Sequence, residues 1–337
     1  MEPIGSFRQV QMVYQVNELF RLIFTCSYLF NPLIILTCLG RPTSVFTTTF
    51  VLIATAKACS GASVGSALAL ALAAYNSLHP ALLLPPLTLL CYDQVISRRK
   101  DNRSSSASNA HTSLGSFAIR YASAFIIFVG LLLGLSFAMT QDWSFAQAVY
   151  GTRLLLPDLT PNVGLWWYFF IEMFDSFRNF FLGVFWLHMA SYSPGLTIRL
   201  RQQPLAAIVV LCGIFSIFQP YANIGDAGAS MAMLGLYGHV FECKIAAVFD
   251  RNLLIDISVT RYVFPALSAL LYTLMLGPAF YHLWIYAGSG NANFFYAITL
   301  VWSLGNVVVL ADVLYAILRD EWEVTRPEMK GKEARQI

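Results

Sequence analysis

Apolar residues run through this chain in long blocks separated by short polar stretches. Ten such blocks lie at roughly 22–39, 43–57, 61–78, 80–96, 117–140, 165–192, 204–219, 228–243, 262–284 and 293–318. A helix that crosses a bilayer needs about 17–25 apolar residues, so the pattern predicts about ten transmembrane helices. Blocks 43–57 and 228–243 are short enough for half-helices or re-entrant segments. Pro80, Pro85 and Pro86 make 80–96 a poor regular helix. Gly61–Gly65, running on into Ala67, Ala69, Ala71, Ala73 and Ala74, and Gly130–Gly134 have the spacing that lets helix backbones approach closely. Packing within the chain is the expected use of both, with a subunit contact as the alternative. No internal repeat is visible.

Composition agrees with that pattern. The chain is 57% hydrophobic and 12% charged, where soluble domains carry about 25% charged residues. It is therefore expected to be an all-α polytopic membrane protein. Residues 22–318 form one membrane domain, 1–21 a short leading segment and 319–337 a tail. Residues 1–21 mix charge and polarity and lack the apolar core of a cleavable signal. A net charge of +3 is too small to argue for a nucleic-acid partner. The six cysteines lie in or beside apolar blocks with no CxxC spacing, and read as small helix residues. The histidines form no metal-binding motif, and no cofactor is expected.

The placement of Lys and Arg orients the blocks. Fourteen basic residues fall in loops 97–116, 193–203 and 244–261 and in the tail. The intervening loops 141–164, 220–227 and 285–292 hold only Arg153. By the positive-inside rule the first set is cytosolic and the second faces the lumen or exterior, with both termini cytosolic. The Ser-rich stretch within 97–116 reads as a flexible cytosolic linker. Its Asn102-Arg103-Ser104 sequon should then stay unmodified.

Two polar elements share the lumenal side. His282–Leu300 holds an aromatic run, an uncharged turn (Gly288-Ser289-Gly290-Asn291-Ala292-Asn293) and a second apolar run. Pro157–Phe170 is a rigid loop with Asp158, Asn162 and Gly164, leading into Trp166-Trp167-Tyr168. Tyr and Trp favour the membrane interface, and the amides of Asn291, Asn293 and Asn162 offer donors and acceptors without charge. Together they suit a lipid head group whose chains run down between helices. Two ordinary interfacial turns are the competing reading. Within block 165–192, Glu172, Asp175 and Arg178 are spaced three apart on one helix face and form a candidate intramembrane polar cluster. It reads as a groove, a subunit contact or an internal ion pair. Asp312 is expected near the cytosolic end of the last block. There is no Asp-x-Asp, no phosphate-binding glycine loop and no nucleophile with a base nearby in sequence, so nothing points to catalysis by this chain alone.

Tyr28-Leu-Phe-Asn31-Pro32, Pro157–Phe170 with Glu172-Met173-Phe174 after it, and Asn291-Ala-Asn293-Phe-Phe-Tyr-Ala-Ile-Thr-Leu300 resemble the PIG-U family, with the similarity running from about Tyr28 to Glu323. That resemblance implies a non-catalytic membrane subunit of the GPI transamidase in the endoplasmic reticulum. It implies a helical fold similar to GT-C sugar transferases without their catalytic acids. A separate cysteine-protease-like subunit would carry the cut. The other transamidase subunits, the GPI lipid and the C-terminal signal of the proprotein would be its partners. Ser289, Asn291, Asn293, Asp158 and Asn162 become candidate GPI-lipid contacts. The resemblance also implies spans ahead of the Tyr28 motif, which only 27 residues precede here, as in a truncated gene model or splice form. Loops 97–116 and 244–261 match weakly.

The main alternative is a GT-C-like mannosyltransferase using a dolichol-linked donor. It would need lumenal acids as base and metal ligands, and the lumenal loops offer only Asp142, Asp158 and Asp226, far apart in sequence. A transporter would show intramembrane charge in repeated halves, which the sequence lacks.

Overall fold

The computed structural model describes residues 25–101, 113–237 and 262–329. The Asn102 sequon, Cys243, the basic residues of 244–261 and those of 330–337 lie outside the described residues. So do residues 1–24.

The described residues fold as helices: α1 (Pro32–Gly40), α2 (Ser44–Cys59), α3 (Ser63–Asn76), α4 (Leu84–Asp101), α5 (Leu114–Thr140), α6 (Trp166–Glu172), α7 (Asp175–Arg199), α8 (Pro204–Phe218), α9 (Ile224–Leu234), α10 (Val263–Ile285) and α11 (Ala292–Thr325). α8 is the axis of the bundle. It is apolar on every side, which suits a fully enclosed helix, and all its residues but Cys212 and Phe218 are buried. α4, α7, α9 and α11 pack around it. α3 turns its alanines inward, with Ala67, Ala71 and Ala73 fully buried. It thereby packs closely on α2 and α5.

Among the described residues three helices, α5, α10 and α11, are long and apolar enough to cross a membrane, and α2, α3 and α8 are shorter apolar helices. α5 docks through Phe117 and Tyr121 and leaves Ile126, Leu131, Leu135 and Met139 exposed. α10 does the same with Phe264, Leu271 and Met275. Continuous apolar exposure of this extent belongs against lipid.

Several blocks end differently from the sequence pattern, each for a local reason. Asn31 accepts from the Leu33 N–H at 3.0 Å and starts α1 at Pro32, while its amide donates to the Gly228 carbonyl on α9 at 3.3 Å. Pro80 sits in a short 3₁₀ turn (His79–Leu83). Pro85 and Pro86 fall in the first turn of α4, where a missing N–H costs little. Block 165–192 is two helices. Met173 and Phe174 are extended, which ends α6, and α7 restarts at Asp175 and runs on to Arg199 through Pro194. Gly61 lies in the turn after α2 with φ +66°, so the first small-residue pair marks a turn rather than a helix crossing. Gly130 and Gly134 face open space on α5.

The two ends of the bundle differ. At one end Arg201 pairs with Asp93 at 3.0 Å and Arg199 with Glu321 at 3.6 Å, which ties together α4, α7 and α11. At the other end the loops assigned to the basic-poor side meet. Asn223 donates to Ser44 at 2.7 Å, Tyr150 to the Tyr75 carbonyl at 2.8 Å, and Tyr221 to the Asp158 carbonyl at 3.0 Å.

Candidate functional site

The basic-poor end carries two adjoining features. The first is an aromatic wall. Trp167 on α6 is 1% exposed and stacks near Trp284 of α10, with centroids 6.0 Å apart. Phe295 and Tyr296 of α11 close around it at 5.9 and 5.8 Å. Tyr168 stacks on Tyr296 at 4.4 Å and donates its hydroxyl proton to the Asn293 side-chain oxygen. The Tyr296 hydroxyl reaches back to the Leu165 carbonyl at 3.4 Å. The Pro157–Phe170 loop and the 288–293 turn are thus one surface.

Local chemistry fixes the turns of that surface. Ser289 and Gly290 N–H groups both reach the Leu283 carbonyl, at 3.0 and 2.9 Å, closing α10. A Cβ on Gly290 would lie 2.7 Å from the Trp284 nitrogen, so no other residue fits there. Asn291 caps α11 by accepting from the Asn293 N–H at 2.9 Å. Asn162 does similar work in its loop, accepting from the Gly164 N–H at 2.7 Å and donating to the Thr160 carbonyl at 3.3 Å. Asp158 accepts from both the N–H and the hydroxyl of Thr160, and these bonds hold its carboxyl below the ordinary carboxylate range. Ser289, Asn291 and Asn293 are exposed.

The second feature is a pair of pockets beside the wall, with Arg153 and Tyr221 lining both. An inner pocket of about 70 Å³ is lined by Thr47, His79, Gln219 and Asp226, among others. An outer pocket of about 400 Å³ is lined by Tyr75, Tyr150 and Asp158. Asp226 sits in the capping box of α9, accepting from the Asn223 N–H and from the Gln219 amide. Burial pushes its carboxyl up to about 6, against the pull of those donors and of Arg153. Among the described residues no three His, Cys, Asp or Glu side chains cluster to hold a metal ion.

A family model described as GPI transamidase subunit PIG-U matches residues 7–302. The chain belongs to the PIG-U family. It is 34% identical over 299 residues to the GPI-anchor transamidase component PIGU of Homo sapiens, covering 88% of this chain and 63% of the human protein. It is 36% identical to the protein of that description from Cricetulus griseus, with the same coverage. The GPI transamidase component GAB1 of Saccharomyces cerevisiae is 34% identical over 314 residues, covering 90% of this chain and 69% of the yeast protein. The chain therefore spans a little under two thirds of the length of its mammalian relatives.

In this PIG-U family chain Asn293 is tied to the helix that follows the Asp158–Asn162 loop, whereas the polar cluster is not a pair. Asp175 and Arg178 form no ion pair. Asp175 is exposed in the first turn of α7, where its charge suits the helix dipole. Arg178 donates to the Leu156 carbonyl and lies over the Phe170 ring, 5.7 Å from its centroid. A carbonyl at the left-handed end of a short helix has no helical donor of its own, so it competes for the guanidinium. Glu172 is exposed at the end of α6. Asp312 is buried well inside α11, which runs to Thr325, and accepts from the Tyr262 N–H at 2.7 Å to anchor the start of α10. Sequence reasoning missed His79, Tyr168, Tyr221 and Asp226 as parts of one site. Arg153 was marked only by being the one basic residue in loops 141–164, 220–227 and 285–292.

Proposed function

We propose that this chain is a non-catalytic membrane subunit of a GPI transamidase in the endoplasmic reticulum, and that the wall at its lumenal end receives the GPI lipid. Its relatives bear the names of transamidase components. The observation that supports lipid recognition is the Tyr168–Asn293 bond, which joins α6 to the uncharged 288–293 turn over an aromatic wall. The amide NH₂ groups of Asn291 and Asn293 stand at its exposed rim. Ser289, Asp158 and Asn162 would complete the rim. Acyl chains would lie along the apolar faces of α10 and α11. Cutting of the proprotein would belong to a separate cysteine-protease-like subunit, and the C-terminal signal of the proprotein would pass close to this surface. The fold would be that of a GT-C-like bundle with about ten spans and cytosolic termini.

The test is Asn291→Ala/Asn293→Ala in cells lacking the native subunit, with surface GPI-anchored protein and subunit co-purification measured separately. Each hydrogen bond to a phosphate is worth about 1.5–3 kcal/mol. Anchoring should therefore fall by about tenfold or more while assembly is retained. Parallel loss of both readouts would return the asparagines to a purely structural role, and normal anchoring would remove them from the site.

A further inference from the structure

Arg120 interrupts the lipid-facing side of α5. It lies roughly 9 Å along the helix from Leu114. It heads a stripe on one helix face that runs on through Ala124, Ile127, Leu131 and Leu135. The last three are exposed apolar side chains, so the stripe belongs against lipid. A charge on such a face needs water or an anion within reach. The Arg120 Nε–H goes to the Ser116 carbonyl one turn back, at 3.3 Å, which draws the guanidinium toward the start of α5. Its terminal N–H groups make no hydrogen bond or ion pair among the described residues.

Arg120 lines a pocket of about 280 Å³ between α3, α4 and α5. Arg99, near the end of α4, lines it as well, and so do Ser63 and Val64 at the start of α3. Buried Phe117 and Tyr121 lie at its back, with the Tyr121 hydroxyl engaged by Ser66 at 2.8 Å. Among the described residues no carboxylate lines it. Asp93 of α4 is taken by Arg201, at 3.0 and 3.2 Å. Further positive charge stands at the adjoining α2–α3 turn. A Cβ on Gly65 would lie 3.5 Å from the Lys57 side chain, and one on Gly61 3.7 Å from that of Arg98. The start of α3 adds the positive end of its dipole, since Ala62 supplies no side-chain cap.

We propose that this pocket holds the head group of an acidic phospholipid, drawn from the leaflet at the end of the bundle where Arg199 and Arg201 are paired. The lipid phosphate lies between Arg99 and Arg120, whose forks each match two of its oxygens. The acyl chains run beside Val64 and Leu68 of α3 and Ile127 and Leu131 of α5, all of them exposed. A lipid suits the pocket better than a free anion for two reasons. Much of the lining is apolar, with Val64, Val95, Ile96 and Ala124, and Ala124 joins it to the apolar stripe of α5. Basic pockets between membrane helices are suited to such head groups. This site lies at the opposite end from the Asn291–Asn293 rim and does not depend on the chain's place in a transamidase.

The experiment uses the full chain in dodecyl maltoside. It is titrated with dioleoyl phosphatidylserine, dioleoyl phosphatidylcholine or inorganic phosphate, and bound molecules are counted by native mass spectrometry. One phosphatidylserine should be retained saturably, and about fivefold or more tightly than phosphatidylcholine. Arg120→Gln should weaken its binding by about fivefold or more. Ala124→Trp keeps every charge but fills the groove, and should weaken it several-fold. Arg326→Gln removes an exposed arginine outside the pocket and should leave it unchanged. If Arg120→Gln does not accumulate as folded protein, Arg99→Gln takes its place. Equal affinity for the two lipids overturns the proposal. So does an equal loss in Arg120→Gln and Arg326→Gln, the mark of diffuse attraction, and so does unchanged affinity in Ala124→Trp. Inorganic phosphate binding as tightly as phosphatidylserine would make the ligand a free anion and overturn it too.

Discussion

Arg178 answers to the Leu156 carbonyl and the Phe170 ring rather than to the carboxylate three residues before it. Arg178→Ala should therefore uncover the α6–α7 joint and cost about 1–3 kcal/mol, read as a lower unfolding temperature in detergent. Asp175→Asn, at an exposed helix start, should cost no more than about 1 kcal/mol. A true ion pair would make the two losses similar. Gly225 allows an equally local test. A Cβ there would fall 2.4 Å from the Thr37 hydroxyl of α1. Gly225→Ala should prise α1 from α9 at a cost of about 1–3 kcal/mol, and Thr37→Gly in the same chain, which also removes the Thr37 Cβ 2.7 Å away, should recover more of it than Thr37→Ala. The sequence showed that Asp175 and Arg178 share a face. It could not show Leu156, 22 residues away, because that contact depends on the loop after the left-handed Leu156 and on the break between α6 and α7. The amides of Asn162 and Asn291 were legible as polar turn residues, but their backbone partners are visible only once the turns are folded.

Among the elements, α9 makes the sharpest prediction. Its cap holds Asp226, whose carboxyl is raised from an ordinary 3.8 to about 6, chiefly by burial. A raised carboxyl binds its proton more tightly in the folded chain than in the unfolded one. The stability it contributes is full below about pH 4 and is lost as the pH rises through about 6. The groups facing it are Arg153, His79, Cys212 and Tyr221 in the same pocket. Asp226→Asn mimics the protonated form. The unfolding temperature of wild type relative to Asp226→Asn should therefore fall between pH 4 and pH 7, and a constant difference would sink this reading. Helices were the most legible feature of the sequence, because lipid demands internally satisfied backbone over long apolar runs. Their interruptions were less so. The α6–α7 break carries neither Gly nor Pro and is set by the aromatic packing of Trp166, Phe170 and Phe185 between the two helices.

At the scale of the whole molecule, Arg199 and Arg201 of one basic loop are paired at one end of the bundle, and the described basic-poor loops meet at the other. Orientation in the membrane follows as a prediction. Cysteines introduced at Ser106 and Asn162 should label from opposite sides, and labelling of both from the cytosol would invert the proposed arrangement. The helix lengths have a mechanical consequence. The inner helices α2, α3 and α8 have 16, 14 and 15 residues and rise only roughly 21–24 Å, against about 30 Å of hydrocarbon. The 27-residue α5 and 34-residue α11 beside them span that thickness fully. α8 is enclosed, but where the outer faces of α2 and α3 meet lipid the bilayer is expected to thin. Such thinning would give the protein its own dimple, into which a polar head could sink without leaving its leaflet. A chain held in thicker membranes should deepen that dimple at rising elastic cost, which makes bilayer thickness itself a control on what reaches the floor.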